Sequence, residues 1–168
     1  MLTTRHIVLR SLLLAALICV TCAAVAQAAN PNPELIVRWE PCEPNTGVTV
    51  IVDDREIGEK KIYVGCALGE QKNGLEALKN AGFTPAGTTQ YGLEFICRID
   101  EEPTHAEQAC EHTPPASANW SYWHGKAGGK WEYSKYGAKS SKTKAPVNTI
   151  EGWSFGEGEE PRIEPQEE

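Results

Sequence analysis

Apolar and polar positions alternate in short runs along most of this chain. Val48-Thr-Val-Ile-Val52 is β-branched throughout, a polar turn follows at Asp53-Asp-Arg-Glu-Ile-Gly58, and Lys60 to Leu68 returns as a second strand. Two such runs around a turn read as a hairpin. Leu35 to Glu40 supplies an earlier strand, and Leu93-Glu-Phe-Ile-Cys-Arg-Ile99 a later one. Gly74-Leu-Glu-Ala-Leu-Lys-Asn-Ala-Gly82 has helical spacing, with Leu75, Leu78 and Ala81 on one stripe. Asn73 is placed to cap its start, and Gly82 supplies the left-handed residue that ends it. About two turns do not hold alone, so this helix needs a sheet to pack on. A polar, proline-bearing loop runs from Asp100 to Ala118. Three further strands are expected at Asn119–His124, Lys130–Ser134 and Ile150–Phe155. One helix among six or seven strands is an α+β architecture with a mixed or antiparallel sheet.

The first 28 residues have a different character. Arg5 and Arg10 precede an apolar run from Leu12 to Val20, too short for a bilayer span, and Ala26-Gln27-Ala28 forms an A-x-A cleavage site. This pattern predicts a signal peptide over 1–28, cleaved near Ala28, and a secreted, extracellular protein. Residues 29–34 read as an extended leader, 35–156 as a single domain, and 157–168 as an acidic disordered tail. No later stretch is apolar enough to cross a membrane, so no transmembrane span is expected in the mature chain.

Charge narrows the partners. The chain has 16 Lys plus Arg against 23 Asp plus Glu; without Arg5 and Arg10, 14 bases face the same 23 acids, a formal charge near −9. So acidic a protein is not expected to bind nucleic acid, which demands clustered cations. The mature chain keeps Cys42, Cys66, Cys97 and Cys110, an even number in an oxidising compartment. Zinc is disfavoured because no two of these four have C-x-x-C spacing. Of three possible pairings, Cys42–Cys66 and Cys97–Cys110 are favoured because both close local loops, each worth about 3 to 3.5 kcal/mol in chain entropy.

Aromatic residues crowd the C-terminal third. Alternation puts Trp120, Tyr122 and His124 on one face of a strand and Ser121 and Trp123 on the other, with Trp131 and Tyr133 nearby and Trp153 and Phe155 paired further on. Rings on two faces exceed the needs of a one-sided core. Trp120, Tyr122, His124, Trp131 and Tyr133 are therefore the candidate ligand-binding residues, since flat rings stack on planar ligands while indole N–H and phenol O–H supply polar handles. Lys126, Lys130, Lys135, Lys139, Lys142 and Lys144 lie beside them as a local basic edge suited to a carboxylate or phosphate. His105 and His112, in an acidic loop, are a weak metal-site candidate. No H-E-x-x-H, G-x-S-x-G or phosphate-cradling glycine motif occurs, and no enzyme activity is expected. Asn119-Trp120-Ser121 matches an N-glycosylation sequon.

Several segments in order carry a family resemblance: Gly74-Leu-Glu-Ala-Leu-Lys79, Tyr91-Gly-Leu-Glu-Phe-Ile-Cys-Arg-Ile-Asp100, Trp120-Ser-Tyr-Trp-His-Gly125, Trp131-Glu-Tyr-Ser-Lys-Tyr-Gly-Ala138 and Ile150-Glu-Gly-Trp-Ser-Phe155. Together, over roughly Val48 to Phe155, they resemble the domain at the C-terminal end of transcobalamin and intrinsic factor, as found alone in small exported proteins of high-GC Gram-positive bacteria. The resemblance implies a β-grasp-like fold of the soluble-ligand-binding group and a corrinoid-like ligand. In the vitamin B12 carriers a separate helical domain supplies the other face of the site, and this chain lacks it. The reading that follows is an exported, non-enzymatic module that captures a small, partly planar ligand, cobalamin-like at most and with no other cofactor, for an uptake system. The alternative is a protein–protein interaction domain at the cell surface that presents the same aromatic strand to an exported or membrane partner.

Overall fold

Residues 40–165, and the backbone of Leu35–Val37, are described in the computed structural model; the expected signal peptide and leader, residues 1–34, lie outside them. A six-stranded mixed sheet is built from β1 (Leu35–Val37), β2 (Gly47–Asp53), β3 (Ile62–Leu68), β6 (Asn119–Lys126), β7 (Glu132–Tyr133) and β8 (Thr149–Gly156), in the order β1-β3-β2-β8-β6-β7. The expected hairpin pairs β2 with β3 in antiparallel register, Val48 opposite Ala67 and Ile51 opposite Val64. The last strand, β8, inserts between β2, to which it is parallel, and β6, to which it is antiparallel. Between β3 and β6 come the helix α1 (Gly74–Asn80) and a two-stranded sheet of β4 (Pro85–Thr88) and β5 (Gly92–Ile99). The α+β class, the single short helix on a mixed sheet and the two disulfides are as the sequence indicated. Among the described residues no helix is long and apolar enough to cross a membrane.

Two apolar layers follow from strand alternation. Val48, Val50 and Val52 of β2 point toward the helix, where Leu75, Ala77 and Leu78 meet Phe83, Ile96, Ile99, Trp120, Tyr122, Trp153 and Phe155 in the main core. Ile51, Val64, Trp123, Trp131 and Ile150 form a second cluster on the opposite face. Asn73 caps the helix as expected, its side chain accepting from the Glu76 amide at 2.9 Å. Gly74 is required for packing: a Cβ there would stand 2.0 Å from the Tyr122 hydroxyl oxygen.

The structure departs from the sequence expectations at the edges. Strand β4 was not anticipated, because Pro85-Ala-Gly-Thr88 has little strand propensity and pairs through two register shifts. The strand expected over Lys130–Ser134 shrinks to two residues. The helix, by contrast, ends as expected: it runs to Asn80, Ala81 is its C-cap, and Gly82 takes a positive φ of 89° just beyond.

The tail needs the largest correction. Residues 157–165 were expected to be disordered for their charge; instead they run back across the second apolar face. Arg162 clamps the fully buried Asp53 through its backbone N–H (2.6 Å), Nε (3.0 Å) and Nη2 (2.7 Å). Arg55 Nη2 donates to the Glu160 carbonyl at 2.6 Å, and Trp131 Nε1 to the Ile163 carbonyl at 2.9 Å. Pro161 and Pro165 are buried. A buried carboxylate with a guanidinium partner outweighs the tail's composition. Residues 166–168 lie outside the described set. The disulfides are Cys42–Cys66 and Cys97–Cys110, with Cα separations of 4.7 and 5.9 Å.

Candidate functional site

The strand pair β6–β8 positions the polar groups of the C-terminal third. Its register sets Tyr122 opposite Trp153 and His124 opposite Glu151, all on the face toward the helix. Glu151 is 2% exposed, a carboxylate on the buried side of a central strand. Such a group persists only with partners. The Tyr122 hydroxyl donates to Glu151 Oε2, and His124 Nδ1 lies 3.1 Å from the same oxygen. His124 Nε2 lies 2.9 Å from Ser134 Oγ, which donates to the Tyr136 carbonyl at 2.8 Å. Burial, with the Glu151 charge next in importance, raises the Tyr122 hydroxyl far above the usual phenol range, so it stays protonated and remains a donor. The Glu151 carboxylate on one side and the Ser134 hydroxyl on the other fix the orientation of the His124 ring.

The five residues singled out from the sequence are not brought to one surface. Trp120, Tyr122 and Trp131 are 7, 8 and 6% exposed, while Tyr133 is 57% exposed. Trp120 packs edge-on against Phe155 at 5.5 Å, and Tyr122 stacks on Trp153 at 4.7 Å. Their polar handles are also engaged: Trp120 Nε1 donates to the Glu102 carbonyl at 3.2 Å and Trp123 Nε1 to Ser121 Oγ at 2.8 Å. Trp131 belongs to the opposite cluster, beneath the returning tail. Tyr133 meets Trp123 edge-on at 5.0 Å on that same side. Both faces of the sheet carry cores, so rings on two sides serve packing first.

A cleft nevertheless reaches the main aromatic cluster. It has a volume of about 300 Å³ and opens between β5 and residues 133–138, with Trp120, Tyr122 and Trp153 at its floor and Glu94, Phe95 and Ile96 along one wall. Tyr136, 46% exposed, stands on its rim, while residue 133 borders the cleft with its ring turned to the Trp123 side of the sheet. Glu94 is paired with Lys139 at 2.7 Å, and Lys135 also lines the cleft. His124 belongs to a neighbouring depression beyond the Ser134 bond.

Sequence reasoning missed Glu151 and Ser134. The signal for Glu151 was present: residues 151, 153 and 155 share a face, so a carboxylate stood in line with Trp153 and Phe155. Ser134 had no such mark, since its role arises from a hydrogen bond ten residues along the chain. Among the described residues no group of three or more His, Cys, Asp or Glu side chains is placed to hold a metal ion. His112 Nδ1 is occupied by Gln90 Oε1 at 3.1 Å. No protein-family model, no curated protein and no solved structure matches the chain.

Proposed function

We propose that this protein is an exported, non-enzymatic binding module of the transcobalamin-like, β-grasp type, and that it captures a small, partly planar ligand. The observation that carries the reading is the cleft floored by Trp120, Tyr122 and Trp153 and rimmed by the exposed Tyr136. Ligand sites combine apolar rings with a few polar groups. Here the Tyr136 phenol, Lys135 and the ends of the floor rings supply both. At about 300 Å³ the cleft takes one planar ring system or one edge of a larger ligand such as a corrinoid. The site residues shift accordingly: Tyr136 makes first contact, Trp120 and Tyr122 form the floor, His124 orients the rim through Ser134, and Tyr133 and Trp131 belong to the other face.

The test is quenching of intrinsic tryptophan fluorescence by cobalamin and a panel of planar metabolites, corrected for their absorbance. Saturable quenching that weakens at least tenfold in Tyr136→Ala with Lys135→Ala supports ligand capture. A flat response across the panel overturns it. The second reading, a protein partner, draws on the exposed Tyr133 on the two-residue edge strand β7; it then takes precedence if Tyr133→Ala abolishes capture of one defined exported partner.

A further inference from the structure

Four lysines converge on the depression beside His124. Lys126 ends β6 and Lys130 closes the turn that follows, while Lys142 and Lys144 arrive from the connection between β7 and β8. All four are exposed at the rim of a space of about 380 Å³, with His124, Thr143 and Glu151 at its floor. Two chain segments far apart in sequence thus deliver cations to one place, in a protein with 23 acidic residues against 16 basic ones. Gathering like charges is unfavourable without a counter-charge.

The protein's own carboxylates provide that counter-charge only in part. Lys144 is paired with Glu70 at 3.0 Å. Lys142 lies over the Tyr136 ring, 4.7 Å from its centroid. Lys126 and Lys130 have no carboxylate within 4.0 Å among the described residues. Two acids line the space, Glu132 and Glu151, and Glu151 is already committed to Tyr122 and His124. Among the described residues a positive excess therefore remains around a site with a fixed imidazole at its base.

We infer that this depression is a binding site for a phosphate group. All its cations are lysines and none is an arginine. Ammonium groups act as mobile point charges that gather around the several oxygens of a phosphate, and a phosphate's charge of about −1.5 to −2 answers more than one of them where a single carboxylate answers one. The site is independent of the aromatic cleft and holds whether or not that cleft binds a planar ligand.

The experiment is an NMR titration of the isotopically labelled protein with inorganic phosphate, at ionic strength held constant with chloride, and in parallel with glycerol phosphate. Saturable shifts confined to the amides of residues 124–130 and 142–144 are expected. Lys130→Glu combined with Lys142→Glu should weaken binding at least tenfold, and the milder Lys126→Ala about threefold. Lys60→Glu, on a distant turn, should leave it unchanged. Lys135→Ala, in the wall of the aromatic cleft, should also leave it unchanged, which separates this site from the cleft. Tighter binding of glycerol phosphate assigns the group to an organic ligand, and equal binding assigns free phosphate. Shifts that track ionic strength without saturating, or affinity unaltered in the double lysine variant and in Lys126→Ala, overturn the inference.

Discussion

Asp54→Asn should make this protein more stable above neutral pH and leave it almost unchanged near pH 4. Asp54 follows β2 and is 3% exposed, yet no hydrogen bond reaches its carboxylate among the described residues. Burial, followed by the charges of Glu102, Asp53 and Asp100, pushes its pKa up to about 7 from 3.8, against a weaker opposing pull from Arg162. The raised value means that the folded state holds this proton more tightly than the unfolded chain. Stability from Asp54 is therefore complete below about pH 4 and is lost as pH rises through about 7. At 1.36 kcal/mol per pH unit the full span is about 4 kcal/mol, and solvent entering the space of about 230 Å³ that Asp54 lines with Glu59, Asp100 and Glu102 screens it to about 2. Asparagine has the same shape and never ionises. Thermal unfolding followed by near-ultraviolet circular dichroism should show a Tm gain of about 6–10 °C at pH 8 and less than about 2 °C at pH 4. An equal gain at both pH values, or a loss at pH 8, would refute the reasoning.

Two further outcomes test the frame around the sites. Arg162→Ala strands the buried Asp53 and should cost about 3 kcal/mol in urea unfolding, with a red shift of Trp131 emission as residues 157–165 detach; a cost below about 0.5 kcal/mol would show that the clamp is dispensable. Asn119 should remain unmodified when the protein is made in a glycosylating host, because its Nδ2 donates to the Ala116 carbonyl at 2.8 Å and faces the carbonyls of Pro115 and Gly156 at 3.4 Å; intact mass spectrometry would expose a glycan as a mass increment.

Local rules read the interior of the elements well and their company poorly. The β-branched run at Val48–Val52 and the capped stripe at Gly74 both became what their spacing demanded, since propensity and burial agree there. The cysteine pairs followed from short loops. Strand β4 escaped notice because its residues pair for tertiary reasons. The tail was misread because six glutamates between 157 and 168 outweighed a single Arg162 whose partner lies more than a hundred residues away. The aromatic strand was legible as a two-sided structure, but sequence could not assign those sides to two cores. Which tyrosines stay exposed depends on where residues 133–138 leave the sheet. The convergence of Lys126 and Lys130 with Lys142 and Lys144 is likewise a product of the fold, visible beforehand only as a local excess of lysine.

The position of β8 has a consequence for the order in which the molecule can assemble. The last strand to leave the ribosome is the one that joins the β2–β3 hairpin to β6, so the sheet stays in two pieces until residue 156 is free. Contacts between β2 and β8 span about a hundred residues, and closure of so long a loop delays folding. The six-stranded sheet therefore cannot close before residues 149–156 have been made. Fusions or truncations that interrupt 149–156 should accordingly abolish the fold as a whole rather than trim one edge of it.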